Sequence, residues 1–329
     1  MNPSAKTHDA APPDAPCLAN LPVPLYGSVM GLSGLAIATT RSGLFPGSAL
    51  VGNTLLVLVT VWFALLSAAY LVKWVRYPGD VSKEFNHPVR MNFFPAISIS
   101  LLLLSIGYQP LVPAFSFVLW GVGALLHFVF LLRTLRVWLF RGLPLQSFNP
   151  AWFIPVVGTL IVPLSGVDHA PAEISWFFFS IGLVFWIAML GITLSRIIFH
   201  GGLPPKLLPT LFILIAPPAV AFLAYLQLTE TVDTLARLLY FNGLFTAILV
   251  LSFADRFVRL PFFLSHWAYT FPVAAITLAS FRYHHATGVD FFDWIGAAFL
   301  LVLVGITLLV AFRTLRAARA GEFCVAEEN

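Results

Sequence analysis

The chain repeats one contrast five times: an apolar stretch that carries proline or a glycine cluster, followed by an apolar stretch nearly free of them. Inside lipid no water replaces a broken backbone hydrogen bond, so helix breakers are tolerated where a helix packs on neighbours or borders a cavity. The contrast predicts that half of the helices face an interior and half face lipid.

Composition fixes the setting for that contrast. Hydrophobic residues make up 59% of the 329 residues, charged residues 10%, and mean hydropathy is +0.91. A soluble core cannot hold so much apolar surface without exposing large patches. Stretches long enough to cross a hydrocarbon core of about 30 Å run over 23–40, 50–74, 92–109, 112–135, 151–167, 174–199, 207–228, 232–254, 261–282 and 292–315. The expectation is an all-α membrane protein of ten transmembrane helices arranged as five hairpins. Residues 1–22 read as a disordered N-terminal tail with no signal-like apolar run, 23–315 as the transmembrane domain, and 316–329 as a C-terminal tail. Cys17 and Cys324 fall in the tails, which leaves no CxxC motif and no disulfide framework.

Charge sets the orientation. With the N-terminus in the cytoplasm, fifteen of the 18 Lys and Arg residues lie on that side, and Arg41, Arg237 and Arg282 lie on the other. This is a strong positive-inside bias, and it places both termini in the cytoplasm. The net charge of +4 is then a basic inner rim against a mildly acidic outer one, with no call for nucleic acid as a partner.

The odd-numbered spans share a faint repeat. Asn92-Phe93-Phe94-Pro95, Trp152-Phe153-Ile154-Pro155 and Tyr269-Thr270-Phe271-Pro272 each set an aromatic shortly before a proline. Ile215-Ala216-Pro217-Pro218 and the Gly27, Gly31, Gly34 series take the same place in the seventh and first spans. Proline removes one N–H and crowds the carbonyl four residues back, so kinks are expected there and five kinked helices in a ring would enclose a gap. Gly27, Phe94, Pro95, Phe153, Pro155, Ile215, Pro217, Thr270 and Pro272 are the pore-lining or kink candidates.

The odd spans contain no Asp or Glu, and their one Arg is the terminal Arg282. Proton- or cation-coupled carriers place ionisable groups at depth, which argues against that class. Adjacent His284 and His285 diverge by about 100° on a helix and cannot share one ion. His127 and His266 stand alone and read as hydrogen-bonded to neighbouring helices. No nucleophile motif, phosphate loop or paired carboxylates occurs in the spans, so neither an enzyme nor a metal or other cofactor is expected. A haem-binding membrane redox protein is the reading from another class, and absence of a Soret band would dispose of it.

Several strings carry a resemblance. His87-Pro88-Val89-Arg90 followed by Phe93, Pro150 with Pro155, Ala216-Pro217 with Ala224-Tyr225-Leu226, Val232-Asp233-Thr234-Leu235-Ala236-Arg237, and Trp267 with Phe271 are similar to the bacterial tellurite-resistance protein A (TehA) group. That group stands with the plant slow anion channels and the yeast malate and sulfite transporters. The resemblance runs from about Gly27 to Tyr283. It implies quasi-fivefold symmetry, an inner ring of five helices around one pore per protomer, a homotrimer, and a bacterial inner (plasma) membrane. It also implies a pore gate at Phe271, here followed by Pro272 where TehA itself has glycine. Independently, Phe271 lies twelve residues after Arg259 and eleven before Arg282, about mid-membrane at 1.5 Å per residue. The reading is a passive channel for small monovalent anions of the chloride and nitrate class, with lipid and small inorganic anions as partners. The alternative is a carrier or exporter of dicarboxylate, sulfite or tellurite oxyanions.

Overall fold

A computed structural model describes residues 17–321; Cys324 and the side chain of Cys17 lie outside the described residues. Thirteen α-helices follow one another: α1 (Tyr26–Ser42), α2 (Ser48–Arg76), α3 (Pro78–Asn86), α4 (Pro95–Tyr108), α5 (Pro113–Phe140), α6 (Phe153–Val157), α7 (Pro163–Gly166), α8 (Ala172–Phe199), α9 (Ala216–Thr229), α10 (Thr234–Leu251), α11 (Ala254–Val258), α12 (Thr270–Thr287) and α13 (Phe291–Arg319). No strand occurs among the described residues. The chain is an all-α membrane protein. Eight helical segments are long and apolar enough to cross a membrane by length and composition. The fifth and ninth expected spans are not among them. The fifth is broken into α6, a 3-10 turn (Gly158–Ile161) and α7, and α12 is diluted by Thr270, Thr277, Ser280, Arg282, His284 and His285.

Burial follows the proline contrast. Val23–Ser42 is 78% buried, and Arg90–Tyr108 and Pro205–Thr229 are each 72% buried; α2 is 22% buried, α5 39%, and α8, α10 and α13 33% each. The buried segments touch in a closed order: α1 on α4, α4 on α6 and α7, α7 on α9, α9 on α12, and α12 back on α1. The exposed helices lie outside this circle, each against the buried segment that precedes it: α2 on α1, α5 on α4, α8 on α6 and α7, α10 on α9, and α13 on α12.

The faint sequence repeat has a structural counterpart. Each buried segment begins as 3-10 helix and changes to α-helix at the repeat: Val23–Leu25 before α1, Arg90–Phe93 before α4, Pro150–Trp152 before α6, Pro205–Ile215 before α9, and Leu264–Tyr269 before α12. Pro95, Pro155, Pro217 and Pro272 all fall in the first turn of the α-helix that follows. First-turn N–H groups have no intrahelical partner, so proline costs nothing there. These prolines start α-helices and do not interrupt them.

Glycine sets the α1–α12 contact. A Cβ on Gly31 would overlap Thr270 Oγ1, one on Gly34 would fall 2.7 Å from Ala274 Cβ, and one on Gly27 would fall 3.3 Å from Trp267 Cβ. The two helices run parallel in a constant register, and their backbones approach as small-residue seams allow.

The described residues begin ahead of the expected boundary at residue 22. Cys17–Asn20 forms a 3-10 turn, and Lys73 Nζ bonds Leu21 O at 2.6 Å and Glu84 Oε2 at 2.9 Å. Glu84 Oε1 accepts from Val23 N at 2.8 Å, and its Oε2 accepts from Tyr70 OH at 2.7 Å. The Lys73 and Glu84 side chains are 4% and 5% exposed. Removing one partner of such a pair costs about 3–5 kcal/mol, so the clamp fixes the entry to α1. At the other end α13 continues past residue 315 to Arg319.

Candidate functional site

The closed circle of buried segments encloses a cavity of about 60 Å³, room for a few waters or one small ion. All five segments contribute to it. Gly27 and Met30 come from α1; Phe93, Ala96 and Ile99 from the α4 segment; Phe153, Ile154, Val157, Gly158 and Ile161 from the fifth; Ile213, Ala216 and Val220 from the seventh; and Leu264, Ser265, Trp267, Ala268, Phe271 and Pro272 from the ninth. No ionisable side chain is in this lining. Its one hydroxyl is occupied, because Ser265 Oγ donates to Lys206 O at 2.6 Å.

Phe271 stands out on α12. Its neighbours Thr270 and Pro272 are buried, while Phe271 is half-buried and borders the cavity. Its ring lies beside α1, with Cδ2 3.7 Å from where a Cβ of Gly34 would sit.

Of the residues singled out in the sequence, Gly27, Phe153, Phe271 and Pro272 meet at the cavity. The others are buried elsewhere. Phe94 packs edge-on against Phe85 and Tyr70, with ring centroids 4.4 and 6.1 Å away. Thr270 sits in the α1 seam beside Gly31. Pro95, Pro155, Ile215 and Pro217 are buried but do not line the cavity. Among the lining positions missed by sequence reasoning, Phe93, Ile154, Ile213 and Ala216 stand one or two residues from a named candidate in the same motifs. The motif locates each 3-10 to α change, and in every segment lining positions fall within three residues of that change.

Several hydroxyls on the buried helices are spent on their own backbone. Thr159 donates to Val156 O, Thr270 to Trp267 O and Thr277 to Val273 O, all at 2.7 Å. His127, fully buried, bridges two segments: Nε2 is 3.1 Å from Pro155 O, and Nδ1 is 2.9 Å from Ser98 Oγ. A carbonyl only accepts, so Nε2 carries the proton and Nδ1 accepts. Gly158 leaves room for this ring, since a Cβ there would fall 2.6 Å from Nε2. The histidine joins α5 to α4 and to the fifth segment.

Comparison with known proteins follows this architecture. Residues 20–315 match the family described as "SLAC1: Voltage-dependent anion channel". The chain belongs to the SLAC1 family. Among relatives of this SLAC1-family chain, the S-type anion channel SLAH2 of Arabidopsis thaliana is 31% identical over 314 residues, covering 90% of this chain and 60% of the relative. The S-type anion channel SLAH3 of the same plant is 30% identical over 91% of this chain and 48% of its own length. The tellurite resistance protein TehA homolog of Haemophilus influenzae is 25% identical over 88% of this chain and 89% of its own. The chain thus spans about half to three-fifths of the length of these two plant relatives and about nine-tenths of the bacterial one.

Proposed function

We propose that this chain is a passive channel for small monovalent anions of the chloride and nitrate class, gated by the Phe271 ring. The observation that carries the reading is the cavity itself: five buried segments converge on an apolar lumen that holds no ionisable side chain and has Phe271 on its wall. A phenyl ring in such a lumen blocks by bulk and offers no hydrogen bond to an ion that must shed water. With no Lys or Arg in the lining, an anion that passes the ring meets no deep trap and leaves quickly.

The finer architecture belongs to the same proposal. Ten spans form five hairpins with quasi-fivefold symmetry, the broken fifth and the polar ninth crossing in the shelter of the other helices. Each protomer of a homotrimer holds its own pore in the inner membrane, with both termini cytoplasmic. The closed order of contacts and the basic residues at one set of helix ends support this arrangement; the trimer rests on the family resemblance.

Planar-bilayer currents with chloride, nitrate and malate exchanged in turn test the function. The expected current reverses at the Nernst potential of the permeant anion and stays there when only external pH changes. A reversal potential that moves with pH would overturn the passive reading in favour of proton coupling.

A further inference from the structure

Arg41 and Arg282 are among the few basic residues at the end of the molecule opposite the basic rim, and both stand on faces that lead to the cavity. Along α12, Phe271, Leu278 and Arg282 are the residues least buried among residues 271–282. Their spacings of seven and eleven residues bring them back to one face within about 20°. Along α1, Gly27, Gly34 and Arg41 repeat every seven residues and share a face in the same way. Gly27 and Phe271 border the cavity, so each of these faces runs from the cavity to an arginine.

The seam register brings the two arginines together. Gly27 meets Trp267, Gly31 meets Thr270 and Gly34 meets Ala274. Continued by seven residues, that parallel register sets Arg41 beside residue 281, next to Arg282, so two like charges share one end of the seam. Both residues are exposed, and among the described residues no hydrogen bond or ion pair holds either guanidinium. Asp290, on the turn after α12, lies 3.8 Å from His284 Nδ1 and pairs with neither. One arginine near a helix C-terminus is favoured by the helix dipole. Two facing each other without a counter-charge cost energy that an anion between them would recover.

We infer that Arg41 and Arg282 form an anion-capture site at the mouth of the pathway, holding one small inorganic anion between two guanidiniums before it meets Phe271. This rests on the channel reading and assigns that channel an outer site for its ion. The low-dielectric wall of the lumen below concentrates the field of the pair and raises the local anion concentration.

The test uses the full chain with Phe271→Ala as the open parent, compared with Arg41→Gln, Arg282→Gln, the double variant and the double Lys variant. In 10 mM chloride the double Gln variant should conduct about two- to fivefold less than the parent, with each single variant in between. The difference should vanish near 1 M salt, where screening falls to about 3 Å. The Lys variants should keep most of the current. Linewidths of ³⁵Cl in NMR of purified protein give a readout that needs no current: the parent should broaden the line and the double Gln variant should not. Arginine-dependent broadening without any parent current would keep the site and end the channel reading. Parent current with conductance and linewidth indifferent to both arginines would overturn the site. Loss of the broadening on adding phosphatidylglycerol but not phosphatidylcholine would also overturn it, by assigning the pair to a lipid phosphate.

Discussion

Helices α12 and α13 are consecutive and packed together, yet they solve opposite problems. On α13, Leu301, Leu308 and Phe312 are 75%, 65% and 66% exposed, and Gly305 has nothing within 4 Å of where a Cβ would stand. On α12 the stretch from Val273 to Thr277 is buried throughout, and α1 presses glycines against Thr270 and Ala274. The polar groups lie on the buried helix, and the apolar bulk faces out. Because Thr270, Thr277 and Ser280 donate to carbonyls three or four residues back, polarity inside the protein is cancelled before it reaches the lumen. An apolar lumen can therefore be built from a helix that is not especially apolar.

Glycine substitution is the harshest way to break this comparison. Gly31→Ala drives a Cβ into Thr270 and should destabilise the protein by about 1–3 kcal/mol, while Gly305→Ala on α13 should be neutral or stabilising by up to ~1 kcal/mol. Thermal unfolding of both variants in the same detergent reads the difference, and equal midpoints would show that the seam is not tight. Next in size is the ring on the lumen wall. Phe271→Ala should raise anion conductance about tenfold, equivalent to ~1.4 kcal/mol off the barrier, at matched surface expression. Unchanged conductance would remove Phe271 from the gate.

Cysteine labelling sharpens the inside–outside contrast. In the Phe271→Ala background, cysteines at Ile154, Val157, Ile213 and Ala268, which line the cavity, should react with small water-soluble thiol reagents. Cysteines at Leu58, Val122, Val184 and Leu301, exposed on the outer helices, should stay protected because lipid excludes the reagent and keeps the thiol protonated. Equal reaction rates in the two sets would mean that this cavity is not the water path.

The smallest effect lies at the start of α10. The Tyr225 hydroxyl bonds the Asp233 carboxylate at 2.6 Å, and the Ala236 N–H bonds it at 2.9 Å; together they hold its pKa below the usual carboxylate value. A lowered folded-state pKa gives stability that is present above the unfolded value of about 3.9 and is lost as pH falls through the folded one. Between pH 7 and pH 3 the parent's unfolding temperature should fall slightly more than that of Asp233→Asn. Parallel pH curves would show that the carboxylate's charge contributes nothing to the cap.

Much of the fold was legible because prolines and glycines marked the buried segments and Lys and Arg marked one set of helix ends. The 3-10 lead-ins were not legible as such, since Phe94-Pro95 or Ile154-Pro155 reads equally well as a kink or as a helix start. That ambiguity carried into the site. Each residue advances an α-helix by about 100°, so the candidate Phe94 packs on Phe85 and Tyr70 while Phe93, one position earlier, lines the cavity. Phe271 was singled out by the family resemblance, with the spacing to Arg259 and Arg282 as a second, weaker sign. The partners of His127 needed three dimensions, since Ser98 and Pro155 are far from it in sequence.

The α1–α12 seam also bears on how the proposed gate can move. Gly31 and Gly34 interlock with α12, and Gly27 with its 3-10 lead-in, at successive turns, so α12 cannot slide or swivel without carrying α1 with it. The Phe271 ring hangs on a fixed frame and faces a glycine that leaves it space. Opening then becomes a rotamer change about one or two side-chain bonds, an event of nanoseconds in an unhindered ring. On the proposed reading, the lifetime of the closed state reports how firmly the neighbouring side chains hold that ring in place, and it can be tuned at their positions without disturbing the bundle.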